Sequence, residues 1–555
     1  MDRSIFVAGA AGEGIQTIGD VVARCFLAHG YPVFVTQEFE SRIRGGNSSA
    51  RIRVADEPRN ATREEADVLL ALNPVARERY ADALRPDGLV ISADTTTNGG
   101  NHLEIPFVSL ATAHGGQELY ANAVAAGALC AAVGLPFTAL EGVLSSAFSK
   151  RGEEIVRANV AAGRAGFDRA VDQLRDRPVE GLPKRDASYA FASAHETLPV
   201  AAAVAGCRFI SAYPMSPSTG IITAFARETD LGVFAEQAED EIAAINMALG
   251  ASAAGARAMT ATSGGGFALM VEALSLAGMI ETPIVIVLAQ RPGPATGLPT
   301  RTAQEDLLFA LRAGHGEFPR VVLAPSDPQE AIELTIRAFD LSDRYQVPAI
   351  LLTDQYLADS RFSLDSLDLP TEIPGDHLAD PEDFEVYRRY APSATGISPR
   401  LPFGQGGRIV YIDSDEHTPE GHITEDLRSV RPAAVGKRLE KAGRLRREIR
   451  PPRTDRTDDA ELILVGWGST RYAIAEAVDL LRADGRKVGA VHFTELWPLP
   501  EVELREGAEY WTVEGNATGQ LAQLLRGALG WPIEGTIGRS DGLPIGARFI
   551  VERIP

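Results

Sequence analysis

The feature that most constrains this chain is a recurring local pattern: a short apolar run, a stop at glycine or proline, then apolar residues at helical spacing. Ser4 to Gly9 reads as a buried strand, Gly9 to Gly14 as a turn, and the stretch to about Gly30 as a helix. Short apolar runs at Pro32 to Thr36, Asp67 to Leu72 and Gly88 to Ala93, and an alanine-rich helix at Ala121 to Val133, continue it. The pattern returns with strands near Arg208 to Ala212, Ala256 to Ala261, Pro283 to Ala289 and Val347 to Thr353, and again at Ala460 to Gly466 and Lys487 to His492. Alternation of this kind builds open α/β sheets with helices on their faces, and such sheets bind ligands beyond the carboxyl ends of their strands.

At 555 residues the chain is too long for one core, since domains average ~150 residues. The expected organisation is an α/β domain over 1–177, a polar linker over 178–186, a second α/β domain over 187–360, a charged connecting region over 361–456 and a third α/β domain over 457–555. Within the connecting region, Lys437 to Arg450 carries seven basic residues in fourteen, which reads as a solvated helix or subunit-facing excursion, with a plain charged surface arm favoured. The net charge of −21 has the wrong sign for neutralising a phosphate backbone, so nucleic acid is not an expected partner. Cys25, Cys130 and Cys207 stand far apart without a CxxC, which supplies neither a disulfide framework nor a cysteine-ligated metal or cluster. No run reaches the ~20 apolar residues of a membrane span. A soluble, cytoplasmic protein is expected.

Candidate sites lie mainly in the second domain. Tyr213-Pro214-Met215-Ser216-Pro217-Ser218 follows a strand end, and its two prolines fix a hydroxyl in place; a stiffened turn with Ser218 capping a helix would have the same sequence. Glu239-Asp240-Glu241 opens an Ala- and Gly-rich helix. The helix dipole accounts for two of these carboxylates, while close packing of so small-sided a helix buries the nearest one, where it can share a proton with a ligand nitrogen. Thr262-Ser263-Gly264-Gly265-Gly266 offers backbone that a ligand can approach closely. Gln290 to Arg301 follows the next strand, with Arg291 placed to fork onto a carboxylate and Thr300 and Arg301 on the same loop. In the first domain, Gly9 to Gly14 lacks the G-x-G-x-x-G spacing, and no acidic residue about 20 positions on is read at the end of a clear second strand, so a tight strand-to-helix turn is favoured over a dinucleotide site. An anion such as the phosphates of a nucleotide-bearing thiol remains compatible with it, and Arg42 and Arg44 add cations nearby.

In their order, Tyr-Pro-Met-Ser-Pro-Ser, Glu-Asp-Glu-Ile-Ala-Ala-Ile, Met-Thr-Ala-Thr-Ser-Gly-Gly-Gly-Phe and Gln-Arg-Pro-Gly-Pro-Ala-Thr-Gly-Leu-Pro-Thr resemble the alpha subunit of 2-oxoacid:ferredoxin oxidoreductases, the 2-oxoglutarate branch most closely. The Gly9 to Gly14 segment with Gln37 to Ser49 resembles that family's gamma subunit, fused ahead of alpha. The resemblance implies a gamma-type domain, a pyrimidine-binding domain for thiamine diphosphate and a transketolase C-terminal-like domain. It implies oxidative decarboxylation of a 2-oxoacid to an acyl-coenzyme A, with electrons passing to ferredoxin. Glu241 would hold the aminopyrimidine nitrogen, with Pro214, Ser216, Ser263 and Gly264 around the cofactor. Arg291, with Thr300, Arg301 and Tyr213, would hold the 2-oxoacid. Met215-Ser216 stands where the family usually has Ile-Thr, and Ser263-Gly264-Gly265-Gly266 where it has Ser-Gly-Pro-Gly. The chain has no Gly-Asp-Gly followed by Asn, so Mg²⁺, the diphosphate and an iron-sulfur cluster are expected on a beta subunit, in an alpha2beta2 assembly. The alternatives are a non-catalytic scaffold or regulatory subunit, or a preference for pyruvate or a branched-chain 2-oxoacid.

Overall fold

The computed structural model describes residues 1–40, 46–94 and 101–555. These form two compact units, one of residues 1–192, 360–367 and 546–548, the other of 193–359, 368–545 and 549–555. The segment Arg42 to Gly45 lies outside the described residues.

The first unit is built on strands β1 (Asp2–Ala10), β2 (Val33–Glu38), β3 (Asn47–Ala55), β4 (Ala66–Ala71), β5 (Leu84–Ser92) and β6 (His102–Glu104), in the order β2-β3-β1-β4-β5-β6. β1 runs parallel to β4 and antiparallel to β3, with Ile5 opposite both Val68 and Ile52. β3 escapes sequence reading because its apolar residues alternate with arginines. Those arginines are paired: Arg51 meets Glu38 at 2.8 Å, and the buried Arg53 meets Asp2 at 2.6 Å. Helices α1 (Ile15–Ala28), α2 (Ala121–Ala132) and α3 (Glu153–Gln173) are among those of the unit. α2 and α3 approach so closely that a Cβ at Gly127 would lie 2.0 Å from the Gly163 carbonyl oxygen. That is why small residues dominate the crossing. Cys25 and Cys130, remote in sequence, meet in this core, where the hydrogen bond Cys25 makes to Cys130 and burial push the Cys25 thiol well above its ordinary range. Residues 178–186 carry no helix or strand, and Leu182 and Arg185 are tied back by backbone hydrogen bonds to Gly134 and His29.

The Gly9 to Gly14 turn is closed from within. Glu13 Oε2 accepts from the Ala10 N–H and from Asn73, each at 2.7 Å, taking a backbone donor that an anion would use. Gly14 has φ of 78°, and a Cβ there would lie 1.9 Å from Asn122 Nδ2, so both the left-handed conformation and the contact require glycine.

In the second unit the principal sheet contains β7 (Cys207–Ala212), β8 (Phe234–Gln237), β9 (Arg257–Thr262), β10 (Ile284–Gln290), β11 (Val321–Leu323) and β12 (Pro348–Asp354). Its order is β11-β12-β10-β9-β7-β8, all parallel. Near-continuous runs such as Ile-Val-Ile-Val-Leu-Ala are what a sheet buried on both faces requires. Helices α4 (Glu241–Ala253), α5 (Gly264–Met279) and α6 (Leu307–Arg312) follow strand ends. A five-stranded sheet near the C-terminus is formed by β13 (Arg453–Asp455), β14 (Leu462–Trp467), β15 (Val488–Phe493), β17 (Glu509–Glu514) and β18 (Ile533–Gly538). The intervening β16 (Glu495–Trp497) joins the principal sheet instead, antiparallel to β11, and one core runs through Leu288, Val465, Trp467 and Phe493.

The charged connecting region departs from the expectation of a solvated arm. The basic run forms helix α7 (Val430–Glu448), in which Arg438, Lys441 and Leu445 are buried. The charges are tolerated because they are answered. Glu281 lies between Lys437, at 2.6 Å, and Lys441, and Arg438 meets Glu416 at 3.1 Å. Burial alone would raise the Glu281 carboxyl, but the ammonium groups of Lys441 and Lys437 hold it below its ordinary range. Among the described residues no helix is long and apolar enough to cross a membrane, and no three His, Cys, Asp or Glu side chains group as a metal site.

Candidate functional site

Four adjacent strands, β10, β9, β7 and β8, end at one edge of the principal sheet, and each hands on to a loop singled out above. β7 leads into Tyr213 to Ser218, where the Ser218 N–H and hydroxyl both donate to the Met215 carbonyl, closing a tight turn. β8 leads to α4, β9 to the glycine turn and β10 to the arginine loop. A row of parallel strand ends is where an open α/β sheet gathers a ligand.

The three acidic residues opening α4 divide their roles. Asp240 is the helix cap, its Oδ1 accepting from the Ala243 N–H at 2.8 Å, and Glu239 is exposed. Glu241 turns inward and is only 3% exposed, with Oε1 buried and without a hydrogen-bond partner. A buried carboxyl oxygen left unpaired costs about 1–3 kcal/mol, so its persistence points to a ligand group. The Glu241 carboxyl lies against Gly266, where a Cβ would sit 2.6 Å from Oε1 and 2.1 Å from Thr262 Oγ1. The Ser263 hydroxyl, fully buried at the mouth of α5, is also without a partner and caps no N–H. An unpaired carboxyl, an unpaired hydroxyl and a glycine with no room for a side chain fit the amine and ring-nitrogen edge of an aminopyrimidine.

Arg291 spans two loops. Its Nη1 donates to the Ser216 carbonyl oxygen at 2.7 Å, so the backbone of Ser216 joins the two loops. The arginine loop is clamped at both ends: Glu305 Oε2 accepts from the Gly293 N–H at 2.8 Å, and Gln290 Oε1 accepts from the Asp306 N–H at 2.9 Å. Gly297 has φ of 51°, and a Cβ there would meet the Pro292 carbonyl at 1.8 Å. Burial draws the Arg291 guanidinium below its ordinary range, opposed by Asp306. Burial and the neighbouring Glu305 push the Asp306 carboxyl up to about 6, against the pull of Arg291.

The structure thus brings Ser216, Glu241, Ser263, Gly264 and Arg291 to one sheet edge. Tyr213 is 39% exposed and Pro214 half-buried beside them. Thr300 and Arg301 are half-buried further along the loop, with the Arg301 stem beside Gly542. Thr262 and Gln290 open two of the motifs but were given no role of their own, and Asp306 was missed, because only folding sets it against Gly264.

Comparison with known proteins gives a consistent placement. Residues 200–435 match the family described as pyruvate flavodoxin/ferredoxin oxidoreductase, thiamine diP-bdg. Residues 4–169 match pyruvate ferredoxin/flavodoxin oxidoreductase, and 460–527 match pyruvate:ferredoxin oxidoreductase core domain II. The chain is 31% identical to 2-oxoacid:ferredoxin oxidoreductase 2, subunit alpha, of Aeropyrum pernix, over 98% of this chain and 96% of that one. It is 30% identical to the 2-oxoglutarate oxidoreductase subunit KorA of Mycobacterium tuberculosis, over 94% of this chain and 86% of that one. Among solved structures, the 2-oxoglutarate:ferredoxin oxidoreductase of Magnetococcus marinus, with 2-oxoglutarate, coenzyme A and succinyl-CoA bound, superposes with a TM-score of 0.90 at 30% identity, covering 100% of this chain and 98% of that one.

Proposed function

The chain belongs to the 2-oxoacid:ferredoxin oxidoreductases as an alpha subunit, part of a multisubunit oxidoreductase, and from that premise we propose that it builds the aminopyrimidine wall of a thiamine diphosphate site acting on 2-oxoglutarate. The observation that carries this reading is the Glu241 carboxyl, buried, unpaired and pressed against Gly266. Thiamine diphosphate, once bound, supplies the carbanion chemistry of decarboxylation. Glu241 holds a proton at the pyrimidine ring nitrogen from a pocket that excludes water. Ser263, Gly264, Pro214 and Ser216 line the same end. Arg291 offers two parallel N–H donors to the 2-oxoacid carboxylate, with Tyr213, Thr300 and Arg301 completing that side of the cleft.

The diphosphate, Mg²⁺ and an iron-sulfur cluster fall to a beta subunit, with coenzyme A accepting the acyl group and ferredoxin the electrons. The preference for 2-oxoglutarate is supported by the name of the mycobacterial relative and by the ligands named for the Magnetococcus marinus structure. The test is an assay of 2-oxoglutarate, pyruvate and a branched-chain 2-oxoacid with coenzyme A and a low-potential acceptor, with and without the beta subunit. Turnover only in the complex, with the highest kcat/KM for 2-oxoglutarate, is expected. Turnover by this chain alone refutes the shared site, and preference for another acid refutes the assigned substrate.

A further inference from the structure

One half-buried acid at the site is used by nothing described so far. Asp306 stands at the start of the short helix α6, yet its carboxylate makes no capping hydrogen bond. Oδ2 is buried and without a partner, and a Cβ at Gly264 would lie 2.6 Å from it, so the carboxylate fills the space that glycine leaves. Its backbone is pinned by Gln290, which also donates to the Thr353 carbonyl and is itself fully buried. The carboxyl is therefore held in place by its main chain and left unsatisfied at its tip.

Two charged groups face it. Glu305, on its own segment, repels a second negative charge, and Arg291, from the loop after β10, attracts one. The glycine turn contributes backbone and the Ser263 hydroxyl, while Glu241 lies further along that turn, against Gly266. We propose that Asp306 is a positioning residue whose proton sets how well Arg291 binds a 2-oxoacid carboxylate, so that binding of the acid takes up a proton. This rests on the reading of Arg291 as the carboxylate-binding residue.

The direction follows from charge. Burial and Glu305 push the Asp306 carboxyl up to about 6 in the free site, so it is largely ionised at neutral pH and its charge opposes an incoming carboxylate beside Arg291. A bound 2-oxoacid neutralises Arg291 and adds a negative charge beside Asp306. Both changes raise its proton affinity. Linkage then requires affinity to fall by up to about tenfold per pH unit above about pH 6.

The experiment uses the complete alpha–beta complex loaded with a thiamine diphosphate analogue blocked at C2, so that 2-oxoglutarate binds without reacting. Calorimetric titration in two buffers of different ionisation enthalpy, between about pH 6 and pH 8, counts protons taken up per 2-oxoglutarate bound. The wild-type complex should take up close to one proton near neutrality. Asp306→Asn, which keeps the shape and removes the titration, should take up none and bind with nearly constant affinity, about tenfold or more tighter than wild type at the high end of the range. No uptake in the wild type, or the same uptake in Asp306→Asn, overturns the proposal. Arg291→Ala separates the two readings: lost binding supports Arg291 as the carboxylate site, whereas unchanged binding refutes that reading and this proposal with it.

Discussion

Gly266→Ala is the smallest change that reaches the proposed chemistry without removing any functional group. A Cβ at this position would lie 2.1 Å from Thr262 Oγ1, 2.6 Å from Glu241 Oε1 and 2.7 Å from Glu241 Cγ. Ordinary contacts begin near about 3.5 Å, so the overlap with both side chains is about an ångström. Neither can swing into solvent, since Thr262 is fully buried and Glu241 is 3% exposed. Overpacking of this size typically costs about 1–3 kcal/mol, which leaves the domain folded. Displacing a catalytic group by about 1 Å costs about 10²-fold in rate. The measurement is turnover of the reconstituted complex at saturating cofactor, with thermal unfolding of the variant beside it. A loss of about a hundredfold with a modest drop in Tm is expected. A folded Gly266→Ala complex with wild-type kcat would refute the reasoning, because the carboxyl would have moved without consequence.

Arg291→Ala removes one charge-assisted fork, worth about 1.5–3 kcal/mol, and should lower kcat/KM for 2-oxoglutarate roughly tenfold to a hundredfold; unchanged apparent affinity and turnover would count against the assignment. Far from the site, Glu281→Gln leaves Lys437 and Lys441 buried without their shared carboxylate. Breaking a buried pair in this way costs about 3–5 kcal/mol, so the denaturation midpoint should fall sharply, and an unmoved midpoint would sink the idea that this carboxylate holds α7 down. Because the Glu281 carboxyl is depressed in the folded chain, its contribution is fully present above about pH 4.3 and is lost only as pH falls toward the folded value.

The sheets were legible where strands were buried on both faces, because runs such as Ile284 to Ala289 have no other economical place. β3 was not, since Arg51 and Arg53 interrupt its apolar residues and find their carboxylates only in the fold. The same blindness misjudged α7: seven basic residues in fourteen look solvated until Glu281 and Glu416 are seen to meet them. At the site, the motifs marked the loops, and the Ala- and Gly-rich run after Glu241 foretold its burial. Which carboxylate caps the helix and which turns inward was settled by side-chain direction, with Asp240 bonding the Ala243 N–H. Cys25 with Cys130, and Asp306 with Gly264, are pairings across long stretches of chain, and no local spacing encodes them.

The most direct test of the account is hydrogen–deuterium exchange at C2 of thiamine diphosphate bound in the complex, comparing wild type with Glu241→Gln. If this chain supplies the proton-holding wall of the site, exchange should slow by at least about 10²-fold, the scale of general acid–base assistance, while the cofactor stays bound. Exchange at the wild-type rate in Glu241→Gln would contradict it.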